Sequence, residues 1–269
     1  MNTMNTMNTQ EDMTTNSKFA TRPRHLIPEQ TYDYGHPEVV YWTKTLGDRA
    51  KKSEVLANVE VALKYAASRT TAETVGRVWY DFSRHVPIFL MRAAAQTNDP
   101  ERQHHLIQIA YDELGGRYKD LIHSKLFAEA LVAIGIQLPS GAPVSAIGSV
   151  LDMLDASLAG SASDEGLLGL LLSFEIVAEG NIEKLFQCLS FDDAARATLS
   201  KTQFFEIHRQ DETEHIRHAV ANFVRFCKTK GQCEHFMRSF DDGIEFWQRF
   251  WDQTARLINA GTDTCADAG

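Results

Sequence analysis

Two histidines and one glutamate recur at helical spacing between residues 208 and 215. His208, Glu212 and His215 stand at positions i, i+4 and i+7 of the stretch His-Arg-Gln-Asp-Glu-Thr-Glu-His. In an α-helix these positions project from one face over two turns. Two imidazoles and a carboxylate on one helix face make half of a metal site. A complete site therefore requires further ligands from other segments of the chain.

Glu175 is the first candidate for the second half of the site. It lies in the run Leu-Leu-Leu-Ser-Phe-Glu-Ile-Val-Ala, within the most apolar helix that the sequence predicts. Because burying an unpaired charge is costly, an acid on an apolar helix face indicates a ligand. A solvated position is the competing interpretation. Glu179, one turn further on, ranks second because it directly precedes Gly180.

Glu113 and His123 form a third candidate element on either side of a glycine pair. Glu113 ends one predicted helix, Gly115 and Gly116 follow, and His123 begins the next helix. An acid at a helix end and a histidine just past a short loop can converge on a metal. Taken alone, the pair is weak evidence, because a lone histidine is more often a surface or core residue than a metal ligand. His85 is expected to line the interior without binding metal.

The pattern of apolar residues and breakers predicts an all-α fold, a compact bundle of about seven or eight helices. Alternating strand-like runs and hairpin signals are absent from the sequence. Thr70 and Glu73 suggest a capping box, Asp99 caps a helix that starts with Pro100, and Gly135 ends another. The predicted helices span residues 53–67, 71–96, 100–115, 121–135, 144–158, 164–189, 201–230 and 232–259.

Composition limits the classes of partner and the location. The chain has 269 residues and a net charge of −9, which argues against nucleic acid or an anionic membrane as the partner. No apolar run reaches the roughly 18 residues that a membrane span needs. The polar N-terminus, with its Met-Asn-Thr repeat, predicts a disordered tail over residues 1–35 and no secretory signal. After this tail we predict a helical domain over residues 36–260 and a disordered C-terminal tail over residues 261–269.

Four cysteines without a Cys-x-x-Cys pair predict reduced thiols and a cytoplasmic location. Arg209 and Arg217, near the histidine motif, and Lys184, on the Glu175 helix, are expected to be solvated charges. The aromatic residues of the last helix are expected in the core or at an interface, which leaves a homodimer open. They are Phe246, Trp247, Phe250 and Trp251.

The full set of candidates resembles the ligand pattern of the haem-oxygenase-like diiron oxidases and oxygenases. That pattern runs from an acidic dipeptide with glycine to a nearby histidine, a glutamate in a long apolar helix and a final His-x-x-x-Asp-x-x-His. Residues 86–90, Val-Pro-Ile-Phe-Leu, also resemble a family segment before the acidic dipeptide. The resemblance covers residues 70–255. One departure is Glu212 where the family has aspartate, with Asp211 beside it as the alternative ligand.

The resemblance implies a haem-oxygenase-like fold and two irons that use O2 as co-substrate. It implies that Glu113, His123 and Glu175 hold one iron, that Glu175 bridges, and that His208, Glu212 and His215 complete the pair. Tyr80, Phe174 and Phe205 are expected to line a substrate pocket, with plain core packing as the equal alternative.

The expected activity is O2-dependent oxidation of a small organic substrate derived from an amino acid or amine, in specialised metabolism. N-oxygenation and oxidative C–C cleavage are the two outcomes considered, and an external electron donor is allowed. A fatty-acid oxidative decarboxylase is the alternative, as is a metal-free thiaminase-like or cofactorless member of the fold. A haem protein is disfavoured because His25 and His36 both lie in the proline-dotted lead. A non-catalytic helical interaction protein is the remaining rival class.

Overall fold

The computed structural model describes residues 35–66, 68–138, 147–161, 163–210 and 212–266. Within these ranges the side chains of residues 62–66, 105, 209, 210, 212–215, 218 and 261–266 are not described. The described residues contain eleven α-helices, a 3-10 turn and no strand, so the all-α prediction is confirmed. The helices are α1 (Pro37–Lys52), α2 (Ala57–Ala66), α3 (Arg69–Gln96), α4 (Pro100–Glu113), α5 (His123–Ala133), α6 (Gly148–Gly160), α7 (Asp164–Leu189), α8 (Asp193–Leu199), α9 (Gln203–Gln210), α10 (Glu212–Phe226) and α11 (Lys230–Ala266).

The helix count exceeds the predicted seven or eight. α8 was not predicted because seven residues are too few to show a helical period, although Asp192 caps it by accepting from the Ala195 amide. α1 lies within the predicted helical domain, but no predicted helix covered residues 37–52. In the stretch predicted as one helix over 201–230, α9 and α10 flank Asp211, which lies outside the described residues.

Two helix starts test the capping predictions. Asp99 accepts hydrogen bonds from the Glu101 and Arg102 amides, with Pro100 in the first turn, as predicted. The capping box of Thr70 and Glu73 is wrong, because α3 begins two residues earlier. Ser68, in extended backbone, accepts from the Thr71 amide. Glu73 instead pairs with Arg69 one turn before it, so its carboxylate is engaged along the helix surface.

The centre of the bundle is the contact between α7 and α11, with α3 beside both. Small residues let these helices approach closely. A Cβ on Gly169 would lie 2.1 Å from the Phe236 carbonyl oxygen, and one on Gly243 would lie 1.8 Å from the Ser173 Oγ. Neither position leaves room for a methyl group. The axes of α7 and α11 are therefore closer than larger side chains at these positions would permit.

The aromatic residues of α11 lie in the core of this chain. Trp251 is fully buried and its indole Nε1 donates to the Asn181 Oδ1 at 2.8 Å, which ties α11 to α7. Trp79 of α3 packs against Trp247 and Trp251. Of the two positions predicted for these rings, core or interface, the structure has the core. The homodimer stays a prediction without support from them.

Lys184 corrects one sequence expectation. It was expected to be a solvated charge, yet it is only 8% exposed. Its Nζ lies 3.1 Å from Glu60 of α2 and donates to the Gln187 Oε1 at 2.8 Å. Its ion-pair partner stands more than a hundred residues earlier in the chain, so the sequence around Lys184 carries no sign of the burial. Arg217, by contrast, is exposed as expected.

No helix in the described part of the chain is both long and apolar enough to cross a membrane.

Candidate metal centre

The corner between α4 and α5 brings Glu113 and His123 together. α4 ends in a Schellman motif, in which the Gly115 amide donates to the Asp112 carbonyl and the Gly116 amide to the Tyr111 carbonyl. This reversal returns the chain so that the Glu113 Oε2 lies 3.0 Å from the His123 Nδ1. Both side chains are largely shielded, at 22% and 11% exposure. The predicted convergence across the glycine pair is therefore present.

Gly115 is the residue that this corner requires. Its φ is +83°, and a Cβ there would lie 2.4 Å from the Tyr118 carbonyl oxygen and 2.6 Å from the Ile122 amide nitrogen. Both obstacles are backbone atoms of the loop that leads into α5, so they cannot rotate away. Gly116 also has a positive φ, +59°, but its Cβ would meet nothing closer than the Tyr111 ring at 3.6 Å.

We expect Gly115→Ala to lower the free energy of unfolding by about 2–3 kcal/mol and to weaken iron binding, since the substitution moves Glu113 away from His123. Gly116→Ala is the matched control. It carries only the conformational penalty of the left-handed region, about 1 kcal/mol. Urea denaturation and iron affinity measured on both variants test this. Equal effects from the two substitutions would contradict the role assigned to the Gly115 turn.

His208 on α9 is held in a defined orientation. Its Nδ1 lies 2.7 Å from the Phe204 carbonyl oxygen one turn earlier. Because a carbonyl only accepts, Nδ1 carries the proton and Nε2 presents the lone pair. A ligating histidine is commonly fixed in this way by its second nitrogen. The His208 ring lies 5.1 Å from the His123 ring, centroid to centroid, so α9 delivers its imidazole to the α4–α5 corner.

Glu175 occupies the middle of α7, which packs against α3, α9 and α10. Its side chain is half-buried, next to the buried Leu172. The adjacent Phe174 stacks on Phe89 and Phe246. Half-burial in an apolar helix is consistent with the ligand prediction, which stays a prediction. Glu179, the second-ranked acid, is exposed.

The remaining predicted ligands are only partly described. Glu212 and His215 lie in α10, but their side chains are among those that the structure does not describe, and Asp211 lies outside the described residues altogether. The choice between Glu212 and Asp211 stays a prediction. Among the side chains that are described, His, Cys, Asp and Glu form no group of three that could hold a metal by itself.

The three aromatics predicted near the substrate have different surroundings. Phe205 is fully buried against Phe186 and Phe204. Phe174 is partly buried and packs within the aromatic core described above. Tyr80 is half-buried, with the Arg84 guanidinium carbon 5.7 Å from its ring centroid. Packing accounts for the first two, and a role in substrate binding stays a prediction for all three.

His85, which was expected to line the interior, is half-buried on α3. Its Nε2 is 3.0 Å from the Asp155 Oδ1 of α6, and Arg92 pairs with the other oxygen of that carboxylate. This cluster ties α3 to α6. The Asp155 carboxylate thus pairs with both His85 and Arg92.

The described donors fit iron in their chemistry. Carboxylate and imidazole are the ligands that iron and manganese accept, and no thiolate is among the candidates. The shielded Glu113–His123 pair and the oriented His208 imidazole come from three different helices. The Phe204 carbonyl that fixes His208 was not predicted. Every residue type supplies a backbone carbonyl, so the identity of residue 204 could not indicate this hydrogen bond.

Comparisons with known proteins agree with this fold. A family model described as an iron-containing redox enzyme matches residues 77–248, more than half of the chain and a span that contains all six predicted ligands. A CADD-like protein of unknown function from Nostoc punctiforme is similar in structure, with a TM-score of 0.69 and 18% identity, covering 82% of this chain and 98% of that one. A domain of unknown function with a heme oxygenase-like fold from Shewanella denitrificans has a TM-score of 0.58 and 15% identity, covering 83% and 93%. No curated protein matches the chain.

Proposed function

Since the chain belongs to the family of iron-containing redox enzymes and has the haem-oxygenase-like fold, we propose that it is a non-haem diiron oxidase or oxygenase. Its co-substrate is O2 and its substrate a small organic molecule derived from an amino acid or amine, which it N-oxygenates or cleaves oxidatively at a C–C bond. The two iron-binding shells are those predicted from the sequence. Glu113, His123 and Glu175 hold one iron, and His208, Glu212 and His215 complete the pair.

The observation that carries the proposal is the meeting of donors from α4, α5 and α9. Glu113 and His123 are 3.0 Å apart, and the His208 ring is 5.1 Å from the His123 ring. A carboxylate and two imidazoles near one shielded corner are donor types that iron accepts. When bound, the two irons supply the redox chemistry with O2 that side chains lack.

The protein's own groups would bind the irons, fix the orientation of the ligands and limit the access of water. The His208 Nδ1 donates to the Phe204 carbonyl, which leaves Nε2 of the neutral ring as the nitrogen that would bind iron. The Gly115 turn holds Glu113 against His123. Glu175 is half-buried on α7, so the access of water to the carboxylate that we assign as the bridge is reduced.

An amine or amino-acid substrate is favoured by charge. The chain carries a net charge of −9, which attracts a cationic amine and repels a fatty carboxylate. We propose that electrons for the reaction come from an external donor. We also propose a cytoplasmic location and a homodimer for the enzyme.

Substrate-triggered O2 consumption tests the proposed function. We expect the Fe(II)-loaded protein to take up O2 at least about tenfold faster with one member of an amine and amino-acid panel than without substrate. Fatty acids of several chain lengths form the comparison arm. His208→Ala protein serves as the control for uptake by free iron. Activation by fatty acids alone would contradict the amine or amino-acid substrate and favour the fatty-acid decarboxylase. No activation in either arm would favour the non-catalytic interaction protein.

A further inference from the structure

Two cysteines meet at the corner between α10 and α11. Cys227 directly follows the last residue of α10, and Cys233 lies in the first turn of α11. The Cys233 Sγ is 3.9 Å from the Cys227 carbonyl oxygen, within hydrogen-bonding distance for a thiol. Both are free thiols. The contact brings the Cys233 sulfur to the backbone of Cys227.

The connecting turn is held closed by Gln232. Its Oε1 accepts hydrogen bonds from the Lys228 and Thr229 amides, both at 3.0 Å. The Thr229 Oγ1 accepts in return from the Gln232 amide. These bonds fix the linker residues Lys228 and Thr229 on the first turn of α11. A disulfide requires the two Cα atoms to lie about 4.4–6.8 Å apart, and the Cys233 sulfur already contacts the Cys227 backbone.

We propose that Cys227 and Cys233 are a redox modification site, forming an intrachain disulfide when the protein meets a hydroperoxide. The Cys233 thiol is first oxidised to a sulfenic acid, which consumes one hydrogen peroxide and releases one water. The Cys227 sulfur then attacks the Cys233 sulfur, forming the S–S bond and releasing a second water. The peroxide is reduced by two electrons, and the two thiols are oxidised by the same number.

The order of the two steps follows from the surroundings of each thiol. Cys233 is half-exposed and open to peroxide. Cys227 is buried, and burial, together with a smaller effect of the neighbouring Cys233, raises the pKa of its thiol to about 12. A thiol this protonated reacts poorly with peroxide by itself, so it acts second, through its closeness to Cys233. Cys188 on α7 is also buried, with a pKa raised to about 12, and provides a matched thiol control.

The consequence is a covalent tie at the end of the helix that carries Glu212 and His215. The disulfide closes a short ring of the chain and joins the C-terminal end of α10 to the first turn of α11. It removes freedom from the unfolded chain, so it is expected to raise the melting temperature by about 2–5 °C. The inference does not depend on bound iron, because the oxidant is supplied from solution.

The test is mass spectrometry of the full, metal-free chain, reduced and then treated with dilute hydrogen peroxide. We expect the intact mass to fall by two hydrogens, peptide mapping to link Cys227 with Cys233, and dithiothreitol to restore the original mass. The Cys188→Ser protein should keep the linkage. The Cys265→Ser protein should keep it too; the Cys265 side chain is among those that the structure does not describe. Cys227→Ser and Cys233→Ser should each abolish it.

Three outcomes would overturn the assignment. They are oxygen added to Cys233 with no cross-link, a linkage to Cys188 or Cys265, and a linkage between two chains. Peptide mapping of the unmodified protein distinguishes these without any variant. The result therefore does not rest on the folding of Cys227→Ser.

Discussion

Iron affinity is expected to fall at least about tenfold in the His208→Ala and Glu175→Ala proteins, and the stoichiometry to fall below that of the unmodified chain. His208 presents its Nε2 through the bond to the Phe204 carbonyl, so its loss removes a pre-oriented ligand. Glu175 is the proposed bridge, so its loss affects both irons. Equilibrium dialysis against Fe(II) under anaerobic conditions, with metal analysis, measures both quantities.

Matched controls lie on the same structure. Glu179→Ala removes an exposed carboxylate one turn from Glu175 on α7, and His235→Ala removes an exposed imidazole on α11. Both proteins should bind iron like the unmodified chain. If Glu179→Ala loses iron while Glu175→Ala keeps it, the second-ranked acid is the ligand. If all four proteins bind equally, the centre lies elsewhere.

The largest effect on stability is expected from Gly169→Ala. The new methyl group would lie 2.1 Å from the Phe236 carbonyl oxygen and 3.1 Å from the Phe240 amide nitrogen. These are backbone atoms of α11, so α7 and α11 must separate along their whole contact. Overpacking of this kind costs about 3 kcal/mol or more, well above the helix propensity that alanine gains over glycine, about 1 kcal/mol.

Gly180→Ala on the same helix measures the gain in helix propensity of alanine over glycine without a steric clash. Its Cβ would meet only the Leu56 Cδ1, at 3.9 Å, an ordinary contact. We therefore expect Gly180→Ala to stabilise the protein by up to about 1 kcal/mol while Gly169→Ala destabilises it. Denaturation midpoints in urea compare the two. Equal midpoints would mean that the close approach of α7 and α11 is not required by the fold.

Helical periodicity predicted the fold class and most long helices, because each buries one face against the core. The core residues of α11, from Phe236 through Phe240, Trp247 and Trp251 to Ile258, repeat at helical spacing. The pattern did not predict how close the helices lie. Gly169 interrupts an apolar run in the sequence, whereas in the structure it permits the contact with Phe236. Such close contacts depend on which helices meet, and one sequence does not carry that information.

The candidate site was predictable to the extent that local spacing determines it. The Gly115 turn makes the approach of Glu113 to His123 a local event, and the sequence indicated it. The meeting of His123 with His208 joins two distant segments, and only the resemblance to a family supplied that prediction. The burial of Lys184 with Glu60 is also long-range, and nothing in the sequence pointed to it.

Anaerobic titration of the full-length, metal-free protein with Fe(II) tests the central claim most directly. Bound iron is counted by equilibrium dialysis at a known free Fe(II) concentration, so that a weakly held second iron is included, and the absorption spectrum is checked for haem. The diiron assignment predicts saturation at about two irons per chain, with the second held more weakly, and no haem band. Saturation at one iron or none, or stoichiometric binding of haem in its place, would contradict it.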